Sequence, residues 1–233
     1  MTKFFEVKNK TDKSFDLYFY GDIVKDSLYK WTDEEKCPKE VSELLNEANG
    51  RDLNIFINSD GGSVTAGLAI YHQLKRYEGN KTVYIDGLGA SIASVIAFAG
   101  DKLIMPENTY LMIHKPHGAV LGNADDCRRY AELLDGIEET ILNIYEEHAK
   151  EGVSREQIKE MLKDETWLNG NQAGEIFNVE VTEENKAVAY LADENKLPQE
   201  AKNEINKKRQ TNEAELSKAK LNLLRHKKIG VTK

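Results

Sequence analysis

Short apolar runs alternate with helical periodicity along the first two thirds of the chain. Asp16-Leu17-Tyr18-Phe19-Tyr20-Gly21 is aromatic and apolar and stops at a glycine, which predicts a first strand. Val41, Leu44, Leu45 and Ala48 recur at steps of three and four, predicting a helix over 39–48. A second strand is expected at 53–58, ending at Ser59-Asp60-Gly61-Gly62, with a helix over 65–76 behind it. A third strand at 81–85 leads through a turn into a helix of small residues over 91–99. Two more strands are expected at 102–105 and 110–114. Strand and helix alternating in this way predict an α/β fold, a mostly parallel sheet with flanking helices.

A long helix follows over about 124–150, with Tyr130, Leu134, Ile137, Ile141, Ile144 and His148 stepping by three and four. Such a stripe needs a cover, either this domain or another subunit. Ser154-Arg155-Glu156-Gln157 reads as a capping box opening a helix that carries Ile158, Met161 and Leu162 on one face. A short helix and a terminal strand are expected within 171–181. Past residue 186 the composition changes, and Lys, Arg, Glu, Asn and Gln dominate 202–228. The chain therefore divides into a domain of residues 1–185 and a charged extension of residues 186–233. That extension reads as a solvated helix or disordered tail, a weak helix being marked by Leu216, Ala219, Leu223 and Leu224. Docking of a partner, or trimming on maturation, is the alternative.

Composition narrows the functional classes. Hydrophobic residues make up 40% and charged residues 31% of the 233, the balance of an ordinary globular protein. A net charge of −8 argues against nucleic acid as a partner. No apolar run approaches the roughly 18 residues of a membrane span, so no membrane partner is expected. Residues 1–6 lack the apolar core of a secretory signal, which suggests the cytoplasm. Cys37 and Cys127 form neither a metal-ligand spacing nor a disulfide framework, and Cys127 reads as a small buried hydrophobe on the long helix.

Two glycine-rich turns follow strands: 58–63, Asn-Ser-Asp-Gly-Gly-Ser, and 86–91, Asp-Gly-Leu-Gly-Ala-Ser. The second sets Ser91 at the carboxyl end of a strand and the start of a helix, where α/β folds place their sites. Unpaired N–H groups at a helix start are suited to a developing oxyanion. A serine there also caps helices commonly, so alone it decides little. His114 ends the apolar strand Leu111-Met112-Ile113, and Lys115-Pro116 turns the chain away. On the same sheet edge, it supplies the base that a serine nucleophile needs. Ser59, Ser94 and His117 read as packing or loop residues.

The segment 58–71, Asn-Ser-Asp-Gly-Gly-Ser-Val-Thr-Ala-Gly-Leu-Ala-Ile-Tyr, resembles the first signature of the Clp protease proteolytic subunit. Gly89-Ala90-Ser91-Ile92-Ala93-Ser94 is similar to that family's nucleophile segment, and Met112-Ile113-His114-Lys115-Pro116 to its histidine segment. The three blocks come in the family's order and spacing, and the likeness covers about residues 15–182. It implies a Clp protease/crotonase-like fold with a protruding handle helix. It also implies a serine peptidase with Ser91 as nucleophile and His114 as general base. Glu165 stands where the family carries its aspartate, with Asp164 as the competitor. Backbone N–H groups of Gly62 and Ile92 match the oxyanion hole, Gly62 because a side chain would crowd the substrate carbonyl. Asp60 replaces a usual proline. No metal or organic cofactor is implied.

Glu165-Thr166-Trp167-Leu168 and the charged extension resemble the phage-associated branch, whose members are head-maturation proteases cutting capsid or scaffold proteins. The implied assembly is a homo-oligomeric ring, in the family a stacked double heptamer joined through the handle helix. The housekeeping alternative is a degradation chamber fed by an AAA+ unfoldase partner, since the chain carries no P-loop of its own. Three rivals stand beside these. A serine–lysine peptidase would use Lys115 or Lys102 as base, a crotonase-like acyl-CoA enzyme would explain Gly62 alone, and an inactive ring subunit would explain Glu165.

Overall fold

A computed structural model of the chain describes residues 14–183. The extension expected over 186–233, with its helix, lies outside the described residues. Strands β1 (Ser14–Tyr20), β2 (Asp52–Ser59), β3 (Lys81–Ala90), β4 (Lys102–Pro106) and β7 (Glu180–Thr182) run side by side in that order, every pair parallel. Strand β5 (Tyr110–Ile113) pairs parallel with β3 and antiparallel with β6 (Thr166–Asn169). The expected mostly parallel α/β sheet flanked by helices is the one observed.

Side-chain alternation builds the core. Phe15, Leu17, Phe19, Leu53, Ile55, Ile57, Val83 and Ile85 share one face and are at most 2% exposed. Helices α1 (Pro38–Ala48), α2 (Val64–Arg76) and α3 (Ile92–Ala97) complete the layer. Every residue of α3 is buried, which is why it is built of small and β-branched side chains. On the opposite face, Tyr18, Phe56 and Tyr84 are register partners and stack, with centroids 4.8 and 5.1 Å apart.

Strand β3 forks, and the fork makes the site. Thr82, Val83 and Tyr84 pair with β4, whereas Leu88, Gly89 and Ala90 pair with β5. The strand therefore reaches Ala90, five residues past the expected end, because β5 offers a second ladder that no local pattern announces.

Helix α4 (Ala124–Glu147) is expected from the stripe, and Asn123 closes its start by a capping box with Asp126. Its two halves differ. Ile141, Leu142, Ile144 and Tyr145 are buried in the domain, whereas Leu133 is 56% exposed and Tyr130, Leu134 and Ile137 are only partly covered. Cys127 lies on this outer half and is exposed, so the expectation of a small buried hydrophobe is corrected. Helix α5 (Arg155–Lys163) starts where expected, but only half of the anticipated box forms. The Ser154 hydroxyl accepts from the Gln157 N–H at 3.1 Å, without a reciprocal glutamine bond among the described residues. Helix α6 (Gly170–Ile176) leads to β7.

Helices α2 and α3 cross at Gly67, where an added Cβ would sit 2.2 Å from Ile92 Cγ1. Gly67→Ala is therefore expected to lower thermal stability by about 1–3 kcal/mol, the cost of overpacking a filled core. An unchanged melting temperature would show that Ile92 moves freely there.

Candidate active site

The glycine turn after β2 is fastened before anything binds. Ser59 Oγ donates to the Gly21 carbonyl at 2.6 Å and accepts from the Gly61 N–H at 3.1 Å. Ile23 N–H donates to the Gly61 carbonyl and Ser63 N–H to the Ile23 carbonyl, both at 2.7 Å. Gly61 and Gly62 hold φ of +100° and +134°, a region open to glycine. A Cβ on Gly62 would lie 2.3 Å from the Ile23 carbonyl oxygen. Glycine is thus required there by the neighbouring backbone of Ile23, a reason the sequence did not show. Gly61 is the residue facing Ser91: its Cβ would meet the Ser91 Cβ at 2.7 Å.

Ser91 follows β3 with its N–H donating to the Met112 carbonyl at 2.9 Å. That bond continues the β3–β5 ladder by one residue and draws His114 alongside. Ser91 holds φ +53° and ψ −129°, which few residues other than glycine adopt. Such strain persists only where the surroundings impose it, and it concentrates at functional sites. The serine makes no capping bond to α3, which removes the commonplace explanation for a serine at a helix start. Its Oγ lies 2.7 Å from His114 Nε2 instead.

Burial dominates the chemistry of His114 and pushes its pKa down from the ordinary 6.5, as does the neighbouring His117. Glu165 acts in the opposite direction, favouring the charged ring. His117 packs edge-on to His114 with centroids 5.2 Å apart, a contact that reading it as a loop residue missed. The net effect keeps the imidazole neutral, with a lone pair available, at neutral pH.

The antiparallel β5–β6 register separates the two candidate acids. Ile113 pairs with Thr166 on the last rung, and Glu165, the residue before Thr166, is the acid whose charge reaches the His114 ring. Asp164 closes the end of α5. Glu165 is exposed and holds a left-handed φ of +50°. Among the described residues, His114 Nδ1 has no hydrogen-bond partner, so Glu165 acts on the ring through space. Both lysines weighed as alternative bases are ion-paired, Lys115 with Glu138 at 3.0 Å and Lys102 with Glu180 at 2.7 Å, and it is His114 that touches Ser91 Oγ.

The Gly62 and Ile92 N–H groups have no protein acceptor among the described residues. A narrow cleft of about 10 Å³, room for about one water, opens beside Ser91 and His114, walled by Val64, Ile92, Val95, Pro116, Ile141 and Tyr145. Ser94 lies one turn into α3 and is fully buried. Its Oγ donates to the Ser91 carbonyl at 2.5 Å and lies 2.7 Å from the Tyr145 hydroxyl. Its spacing from Ser91 was a signal in the sequence; nothing local pointed to Tyr145, which arrives from α4. No group of three or more metal-ligating side chains occurs among the described residues.

A parallel α/β sheet carrying a strained serine with a neutral histidine in contact with it defines a protein of the hydrolase class. The Clp protease family model matches residues 14–177, and the chain belongs to the Clp protease family. Its peptidase activity is of the Clp type. Among the described residues no helix is long and apolar enough to cross a membrane.

The electrostatics can be measured directly. The His114 ring should titrate below 6.5 when followed by NMR. Glu165→Gln removes the charge that favours imidazolium and should lower the midpoint further, whereas His117→Ala should raise it. Midpoints moving the other way would refute this assignment of neighbours.

Proposed function

We propose that the chain is a serine endopeptidase of the Clp type, with Ser91 as nucleophile, His114 as general base and Glu165 as the acid. The observation that carries this reading is the 2.7 Å contact between Ser91 Oγ and His114 Nε2, made by a serine at φ +53°. His114 takes the hydroxyl proton as Oγ attacks the scissile carbonyl. The Gly62 and Ile92 N–H groups receive the oxyanion, which gains more from preformed donors than the ground-state carbonyl does. His114 then gives its proton to the leaving amine, and an acyl-enzyme forms on Ser91. Water, deprotonated by the same ring, hydrolyses it. Neither a metal nor an organic cofactor enters any step.

The proposed substrate is protein: capsid or scaffold polypeptides cut during phage head maturation in a bacterial host cytoplasm. Support comes from the Glu165-Thr166-Trp167-Leu168 stretch and the charged residues beyond 186. The proposed working form is a homo-oligomeric ring, and the double heptamer is the family's arrangement. The uncovered outer half of α4, with Leu133 and Leu134, supports a subunit contact. Degradation fed by an AAA+ unfoldase is the competing role. One observation favours an inactive ring subunit, namely His114 Nδ1 without a partner.

Intact-mass measurement after exposure to a fluorophosphonate separates these outcomes. Wild-type protein should gain one adduct, on Ser91, and both Ser91→Ala and His114→Ala should lose it. An assembled wild-type protein that stays unlabelled would establish the inactive subunit instead. For the substrate, a purified scaffold protein should be cut without added ATPase. A cut that needs an unfoldase and ATP would assign the degradative role.

A further inference from the structure

We infer that Ser94 and Tyr145 form a positioning relay that aims the Ile92 N–H by holding the carbonyl at the other end of the same peptide plane. The inference rests on the proposed roles of Ser91 and Ile92. The Ser91 carbonyl and the Ile92 N–H belong to one peptide unit, which is planar and trans, so they point in opposite directions and turn together. Fixing the carbonyl therefore fixes the N–H. Two donors from Ser94 fix it, the backbone N–H at 3.0 Å and Oγ at 2.5 Å.

A serine hydroxyl has one proton. With that proton on the Ser91 carbonyl, the 2.7 Å link between Ser94 Oγ and the Tyr145 hydroxyl has Tyr145 as its donor. The chain of donors runs from Tyr145 to Ser94 to the Ser91 carbonyl. Ser94 is 0% and Tyr145 1% exposed, so water competes for neither bond. Burial pushes the Tyr145 pKa well up, so the hydroxyl keeps its proton, and with it its role as donor, across the working range.

Two physical effects follow. Ser91 sits at φ +53° and ψ −129°, and rotation about ψ would relieve strain by swinging the 91–92 peptide away. Anchoring its carbonyl opposes that swing. Linked hydrogen bonds also polarise one another, so electron density drawn toward the Ser91 oxygen makes the Ile92 N–H a stronger donor. Tyr145 needs α4 to reach Ser94, and its ring also walls the cleft. Packing and relay are therefore two separable duties of one side chain, and Tyr145→Phe removes only the second.

Fluorophosphonate labelling of the full chain, resolved into a binding constant KI and a bond-forming rate constant kinact, tests the relay. Tyr145→Phe should lower kinact about threefold and Ser94→Ala about tenfold, both with KI unchanged, since an indirect loss is smaller than removal of an oxyanion donor itself. The double variant should be no slower than Ser94→Ala, because Tyr145 acts through Ser94. Melting temperatures taken in parallel separate loss of fold from loss of rate. If Ser94→Ala fails to fold, Tyr145→Phe decides alone, a lower kinact at constant KI supporting the relay. Single variants labelled at the wild-type rate, or a change confined to KI, would overturn the relay while leaving Ser91 as nucleophile. So would losses that multiply in the double variant. An unlabelled wild-type protein would overturn the nucleophile and the relay together.

Discussion

The hydrogen bond from the Ser91 N–H to the Met112 carbonyl, at 2.9 Å, sets the geometry on which the rest of the site depends. It carries the β3–β5 ladder one residue past the last paired strand position. A parallel ladder at that point fixes the end of β5 beside Ser91, and His114, the residue that follows β5, comes within reach of its hydroxyl. Because the bond also holds the serine's N–H on the sheet side, the backbone must turn sharply to enter α3. Ser91 absorbs that turn with its positive φ. A relaxed helix cap would have spent the hydroxyl on a helix N–H; the strained turn leaves it facing the imidazole.

Around this junction the polypeptide is held mainly by backbone. The turn at 59–63 is pinned to Gly21 and Ile23 by three hydrogen bonds and closed on itself by a fourth before any ligand is considered, and the Gly61–Ser91 approach leaves no room for a Cβ. Preorganisation of this kind matters because donors that need not move at the moment of reaction cost nothing to reorient. Helix α4 supplies the remaining restraint from a distance. Its inner half reaches Ser94 through Tyr145 and pairs Glu138 with Lys115, the residue after His114. Both members of the serine–histidine contact are thus tied to one helix, whose outer half is left uncovered by this domain.

Local pattern made the helices and most strands legible, since burial on one face imposes periods of 2 and 3.6 residues. Ser91 and His114 were legible as candidates at strand ends, and the resemblance of their segments to the Clp family is what joined them into a pair. What remained hidden depends on contacts distant in sequence. The extension of β3 to Ala90 needs β5, the Tyr145–Ser94 bond needs α4, and the Gly62 requirement comes from Ile23. Cys127 was misjudged for a related reason. Periodicity shows that a helix has an apolar stripe, but the surface that covers each turn belongs to the tertiary structure.

Glu165 acts on His114 through its charge alone, without a hydrogen bond to the ring among the described residues. Glutamate is one methylene longer than aspartate, so in the same role its backbone would have to sit farther back. Here the backbone at residue 165 takes a left-handed φ of +50° at the junction of α5 and β6, a conformation costly for any residue with a Cβ. The exposed carboxylate is screened by solvent, so its pull on the ring is weak beside the burial that keeps His114 neutral. A neutral ring is what proton abstraction from Ser91 requires, and burial, with His117 beside the ring, favours it. The proposed acid matters one step later, when the ring has become an imidazolium in a half-buried site and a facing negative charge lowers its cost.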